Sequence, residues 1–361
     1  MAAPRSVRQD LPSAGGQGLS REDRDLPVID VHSHVAVPAA QELASRTRTL
    51  RDEPMDFFVS AATRARPHKP LRALVDPELR LEQMAAWGVD IQVISPSPSH
   101  FCYWATPEIG ARIAELVNDG MVDFAASVPD RFVPFGTLPL QDPAVAADEL
   151  DRALARGIRG FEIGTDVAGM PLSRAGLDDL FAKLAASDVL VLVHPNGYPE
   201  AAVLSHYYLV NIVGNPLATT VAAYYLILDG VLERLPNLRL CFVHGGGYAG
   251  SYPGRLAHAF RARDDVRAGG SKADPATTLA RCLFDTVVHD PLQLEFLVRR
   301  FGASRLLLGS DYPFDMGQAD PVAFVADARL SSKERNAILG ANAADVLGSL
   351  PAANASPARV P

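Results

Sequence analysis

The sequence has little cysteine: three in 361 residues, Cys102, Cys241 and Cys282, far apart and with no CxxC pair. That excludes a disulfide framework and a thiolate zinc site, and a reducing, cytoplasmic setting is the expectation. Positive charge is not in excess either. A formal net charge of -8 provides no basic face to neutralise phosphates, so nucleic acid is not an expected partner. The sequence is read as having no apolar run of about 18 residues, so no membrane span is expected. Residues 1–26 lack the apolar stretch of a signal peptide and are rich in Gly, Ser and charge, which predicts a disordered N-terminal tail. No strand candidate is followed by GxGxxG, and the "HGGG" at 244–247 has the wrong spacing for a dinucleotide fingerprint.

What is present is a chain that is 48% hydrophobic and 21% charged, enough to bury a large core. Short β-rich runs at 28–34, 91–95, 132–139, 161–165, 189–195, 238–246, 283–288 and 305–313 alternate with helical patterns such as 76–88, 106–127, 142–157 and 176–187. Many of the helical patterns start on Asp or Thr followed by Pro, a cap and a first helical position. Eight strands, each followed by a helix, predict an α/β fold of the (β/α)8 TIM-barrel type over 27–349, with a C-terminal tail at 350–361. The connection between the first two strands is too long for a plain loop, so an inserted lid or subdomain is expected at about 36–75. It carries Arg46, Arg48, Arg51, Arg64, Arg66, His68, Lys69 and Arg72, a composition suited to a position near an anionic ligand.

"VIDVHSHV", residues 28–35, spaces two imidazoles so that an extended chain turns both to one side. In a barrel the chemistry sits at the carboxyl ends of the strands. His32 and His34 end the first strand, His194 the fifth, His244 the sixth and Asp311 the eighth, so four of nine histidines fall on one rim. Three imidazoles and a carboxylate suit Zn2+, with Mn2+ or Fe2+ as alternatives, and leave an open position for water.

"DVHSH", "LVHP", "FVHGGG" and "GSDYPF", in that order on a barrel pattern, resemble the amidohydrolase superfamily, in the branch typified by 2-amino-3-carboxymuconate-6-semialdehyde decarboxylase. The resemblance runs from about Val28 to Gly348 and includes "DPELRLEQMAAWGVDIQV", "FCYWATPE", "GTLPLQDP", "GVLERLPNLRLCFVHGGG" and "VVHDP". It implies that His32, His34, His194 and Asp311 ligate the metal, with Asp311 also serving catalysis. His244 would be the acid/base beside a metal-bound water, whose pKa a divalent ion lowers towards that of an imidazole. Arg255 matches an arginine that reaches into the neighbouring subunit to hold substrate carboxylate, a bidentate task suited to a guanidinium. A homodimer with shared sites is therefore expected.

Some positions depart from the branch. Its second carboxylate-binding arginine falls near His68, with Arg66 and Arg72 close by; tryptophans of the branch are replaced by Asn196 and Asn211; and Glu162 and Asp166 stand where Gln and His are usual. A reshaped pocket is expected, with Arg255, His68, Arg72, Asn196 and Phe314 as substrate contacts. The implied function is non-oxidative decarboxylation of a small unsaturated or aromatic carboxylic acid. A metal-dependent hydrolase or hydratase is the alternative, and a binding protein on a dead barrel would need a missing ligand where none is missing.

Overall fold

The computed structural model describes residues 26–47, 70–198 and 202–348. The strand-forming runs become β1 (Ile29–Asp30), β2 (His34–Val35), β3 (Ile91–Pro96), β4 (Phe132–Pro134) and β5 (Gly160–Ile163). After a small hairpin, β6 (Asp166–Val167) with β7 (Met170–Pro171), come β8 (Leu190–Val193), β9 (Arg239–Phe242), β10 (Leu283–Asp285) and β11 (Leu306–Leu307). β1 and β2 are the two parts of one barrel strand. Both pair with β3, while the residues between them turn to the other side: the Val31 N–H donates to Leu308 O, and Ser33 bridges to Tyr312.

The remaining strands pair in parallel in the order β3-β4 and β5-β8-β9-β10-β11, and a parallel bridge from Gly136 to Phe161 joins the two arcs. With the first strand also bonded to the last, the sheet closes into the eight-stranded barrel that the alternating pattern predicts. Backbones approach closely here: a Cβ on Gly160 would meet the Phe135 ring at 2.3 Å and Leu190 O at 2.6 Å.

Asp-Pro pairs open the helices. Asp76, Asp142, Asp274, Asp290 and Asp320 each accept a backbone N–H through the side chain, and each is followed by Pro in the first turn. Helices Pro77–Trp87 and Pro143–Arg156 then stop at Gly88 and Gly157, both left-handed. These two match the predicted segments. The helix predicted over 176–187 begins only at Asp178.

The core has two layers. Ile29, Val31, Ile91, Val93, Phe135, Leu190, Leu192, Cys241, Val243, Leu283 and Leu307 form one apolar cluster, closed by Ala343 and Leu347 of the last helix. A larger cluster joins the other strand faces, including Ile94, Phe161, Val193, Phe242 and Phe284, to helix residues such as Met84, Val117, Leu150 and Leu184.

Of the expected insertion, helices Pro38–Thr47 and Pro70–Ala73 are described. His68, Arg48, Arg51, Arg64, Arg66 and Lys69 lie outside the described residues. The absence of a long apolar run needs correction. Val210–Leu228 has no charged residue and is long and apolar enough to cross a membrane by length and composition, with 56% of it buried inside the fold. It is the helix after the fifth barrel strand, and packing on both sides explains its composition.

Candidate active site

The two imidazoles of "HSH" do converge. His32 Nε2 and His34 Nε2 lie 3.1 Å apart, and the donor atoms of His32, His34, His194 and Asp311 all lie within 4.8 Å of one another. Asp311 Oδ1 is 2.9 Å from His34 Nε2, 3.3 Å from His32 Nε2 and 3.9 Å from His194 Nε2. All four residues are buried.

Each imidazole is oriented from behind. His32 Nδ1 donates to Asp285 Oδ2 at 2.6 Å, His34 Nδ1 to Pro96 O at 3.2 Å and His194 Nδ1 to Pro195 O at 2.7 Å. With the protons on Nδ1, three Nε2 lone pairs face the centre, and His194 Nε2 is a buried nitrogen with no hydrogen-bond partner there. A borderline cation such as Zn2+ or Mn2+ fits this donor set.

Asp285, at the end of β10, was not singled out by sequence. Its Oδ2 orients His32, while its Oδ1 accepts the N–H of Gly245 at 2.9 Å and of Val287 at 3.2 Å. Burial works to raise its pKa, but the His32 hydrogen bond and charge outweigh that and hold it low. Glu162 behaves in the opposite way. It is buried, its Oε1 is 3.8 Å from His34 Nδ1, and burial pushes its carboxyl well above the usual range. The signal for both was an acidic residue inside an otherwise apolar strand.

"HGGG" has a conformational purpose. His244, Gly245, Gly246 and Gly247 take φ of 56°, 60°, 76° and 56°, a left-handed run that glycine adopts freely. A Cβ on Gly247 would meet Pro216 O at 2.3 Å. The turn brings His244 Nε2 to 3.5 Å from Asp311 Oδ2. Its side chain is 16% exposed, against 0% for His32 and His34 and 5% for His194, so of the histidines around Asp311 it is the one open to a substrate.

Beside the cluster is a cavity of about 310 Å³ whose walls include His244, Asp311, Asn211, Asn215, His289 and Gln293. It is large enough for a single-ring ligand, at the small end of ligand sites. Phe314 packs its ring 4.8 Å from that of His34. Arg255 and Arg72 are exposed, Asn196 is half-buried, and none of the three lines this cavity. Arg72 is paired with Asp76 at 2.9 Å.

The amidohydrolase family matches residues 29–349. A 2-amino-3-carboxymuconate-6-semialdehyde decarboxylase of Dictyostelium discoideum is 34% identical over 278 residues, covering 76% of this chain and 77% of the relative. One from Caenorhabditis elegans is 29% identical, covering 88% and 94%. Among solved structures, 5-carboxyvanillate decarboxylase LigW from Sphingomonas paucimobilis superposes with a TM-score of 0.79 at 24% identity, covering 89% of this chain and 99% of that one. The fold, the histidine cluster and these relatives agree: the chain is an enzyme and belongs to the amidohydrolase family.

Proposed function

We propose that this chain is a metal-dependent, non-oxidative decarboxylase of a small aromatic or unsaturated carboxylic acid. The observation that carries the reading is His244: a reachable imidazole on the wall of a one-ring cavity, beside a buried donor set suited to a divalent cation. His32, His34, His194 and Asp311 would hold Zn2+, with Mn2+ as the alternative. When bound, the ion supplies a Lewis acid and a positive charge that neutralises substrate oxygens.

The chain's own residues carry the rest. Nε2 of His244 delivers a proton to the carbon bearing the carboxylate. The C–C bond then breaks, CO2 leaves, and its electron pair stays with the protonated carbon, so a proton replaces CO2 without an oxidant. Phe314 sets an apolar ring against His34. The apolar part of the wall, Ile212, Pro216, Val287, Val288 and Met316, suits a flat ring.

The test is CO2 release by zinc- and manganese-loaded protein against ortho-hydroxy and ortho-amino aromatic acids and muconate semialdehydes. The expected result is one CO2 per acid consumed. Products of C–N, ester or C–C hydrolysis without CO2 would replace this reading with the hydrolase one.

A homodimer with Arg255 serving the partner's site belongs to the same proposal, supported by the exposure of Arg255 and its absence from its own cavity wall. Mixing Arg255→Ala with His244→Ala chains should restore activity through one intact site per heterodimer. No recovery after demonstrated subunit exchange would reject it.

A further inference from the structure

Three ionisable side chains on the cavity wall share an unusual backbone. His244, His289 and Asp311 have φ of 56°, 58° and 58°, the left-handed region that residues with a Cβ avoid. They follow β9, β10 and β11, three neighbouring strands of the barrel, and all line the same cavity. The other described non-glycine residues with positive φ, Cys102, Ala168, Asp188, Tyr207 and Tyr208, do not line it. Two of the three have roles in the reading above. His289 has none.

The conformation of His289 is imposed by its neighbours. Asp285 Oδ1 accepts the Val287 N–H, Thr286 O accepts the Val288 N–H, and Val288 O accepts the Asp290 N–H. Asp290 then caps the helix Pro291–Phe301 through Leu292 N. Every residue around His289 is thus tied down, while its own imidazole is exposed and makes no hydrogen bond or ion pair with the described residues. Strained backbone held by its surroundings is concentrated at functional sites, and here it leaves a side chain free at a cavity.

The wall also says what His289 would bind. None of the described residues lining the cavity is arginine or lysine, so as donors among them a carboxylate meets only neutral amides, hydroxyls and the imidazoles of His244 and His289. We propose that His289 is a substrate-binding residue whose ring N–H donates a hydrogen bond to the carboxylate of the acid, leaving His244 free to move the proton. This rests on the carboxylic-acid reading of the site.

The test uses the full chain loaded with Mn2+, in a His244→Ala background so that the acid is bound without being consumed, and two probes that differ only in the carboxylate, 2,6-dihydroxybenzoate and resorcinol, titrated calorimetrically; wild type here means His289 intact. Wild type should bind the acid more tightly. His289→Leu should weaken the acid about tenfold or more, as for a lost hydrogen bond to a charged group, while resorcinol changes by less than about twofold. His289→Gln, which keeps an N–H donor, should recover part of the loss, and both variants should keep the metal content of wild type. Unchanged acid affinity in His289→Leu, equal losses for both probes, loss of metal, or a wild type that does not prefer the acid would each overturn the assignment. Because the readout is binding, a pass in this test with no CO2 released from any acid by the unsubstituted chain would instead overturn the decarboxylase reading.

Discussion

The apolar layer of the barrel and its carboxyl rim are built from the same strands under opposite rules. The first is regular backbone carrying Ile, Val, Leu and Phe, whose burial stabilises by roughly 1.5–3 kcal/mol per side chain. On the rim, histidines and carboxylates are buried together, and His244, His289 and Asp311 sit in left-handed backbone. One region gains stability from its side chains, whereas the other spends some of it to hold donor atoms in place. Damage to the first should therefore appear in unfolding, and damage to the second in metal content and turnover.

The largest effect should come from the apolar side. Phe135→Ala removes a fully buried ring and should cost about 3–5 kcal/mol in denaturant unfolding, while the folded fraction keeps its metal stoichiometry. A loss of metal from folded Phe135→Ala protein would break the division between regions. Next, His244→Ala should reduce kcat by a factor on the order of 10^2 or more with metal content and Tm near wild type. If metal and activity fall together in that variant, His244 is a ligand rather than an acid/base.

The smallest of the three sharpens the comparison, because Asp285 joins the strand ends to the rim. Removing its charge in Asp285→Asn should weaken metal affinity by roughly 10- to 100-fold, measured by chelator competition, since His32 loses the partner that fixes its tautomer. Wild-type affinity in that variant would show that packing alone orients His32.

The contrast also explains what could be read from sequence. Strand order, the Asp-Pro caps and the ligand set were legible because each rests on a local pattern: Asp142 before Pro143, His32 two residues from His34, Asp311 at the end of an apolar run. The cavity wall was not. Asn215, Tyr248, Val288 and Gln293 come together from three separate connections, and no periodicity announces where loops meet. Asp285 carries no local signal of its role inside its strand, because that role depends on His32, 253 residues away. The long apolar helix Val210–Leu228 does not form an unbroken apolar run, because Asn211, Asn215, Thr219 and Thr220 interrupt it, although no charge does.

His32, His34, His194 and Asp311 are grouped as one candidate metal site, with His244 beside it but outside the ligand set. Elemental analysis of purified wild type, His32→Ala, Asp311→Ala and His244→Ala protein tests it most directly. About one transition metal per chain is expected in wild type and His244→Ala, and almost none in the other two. Wild-type metal content in both His32→Ala and Asp311→Ala would contradict it.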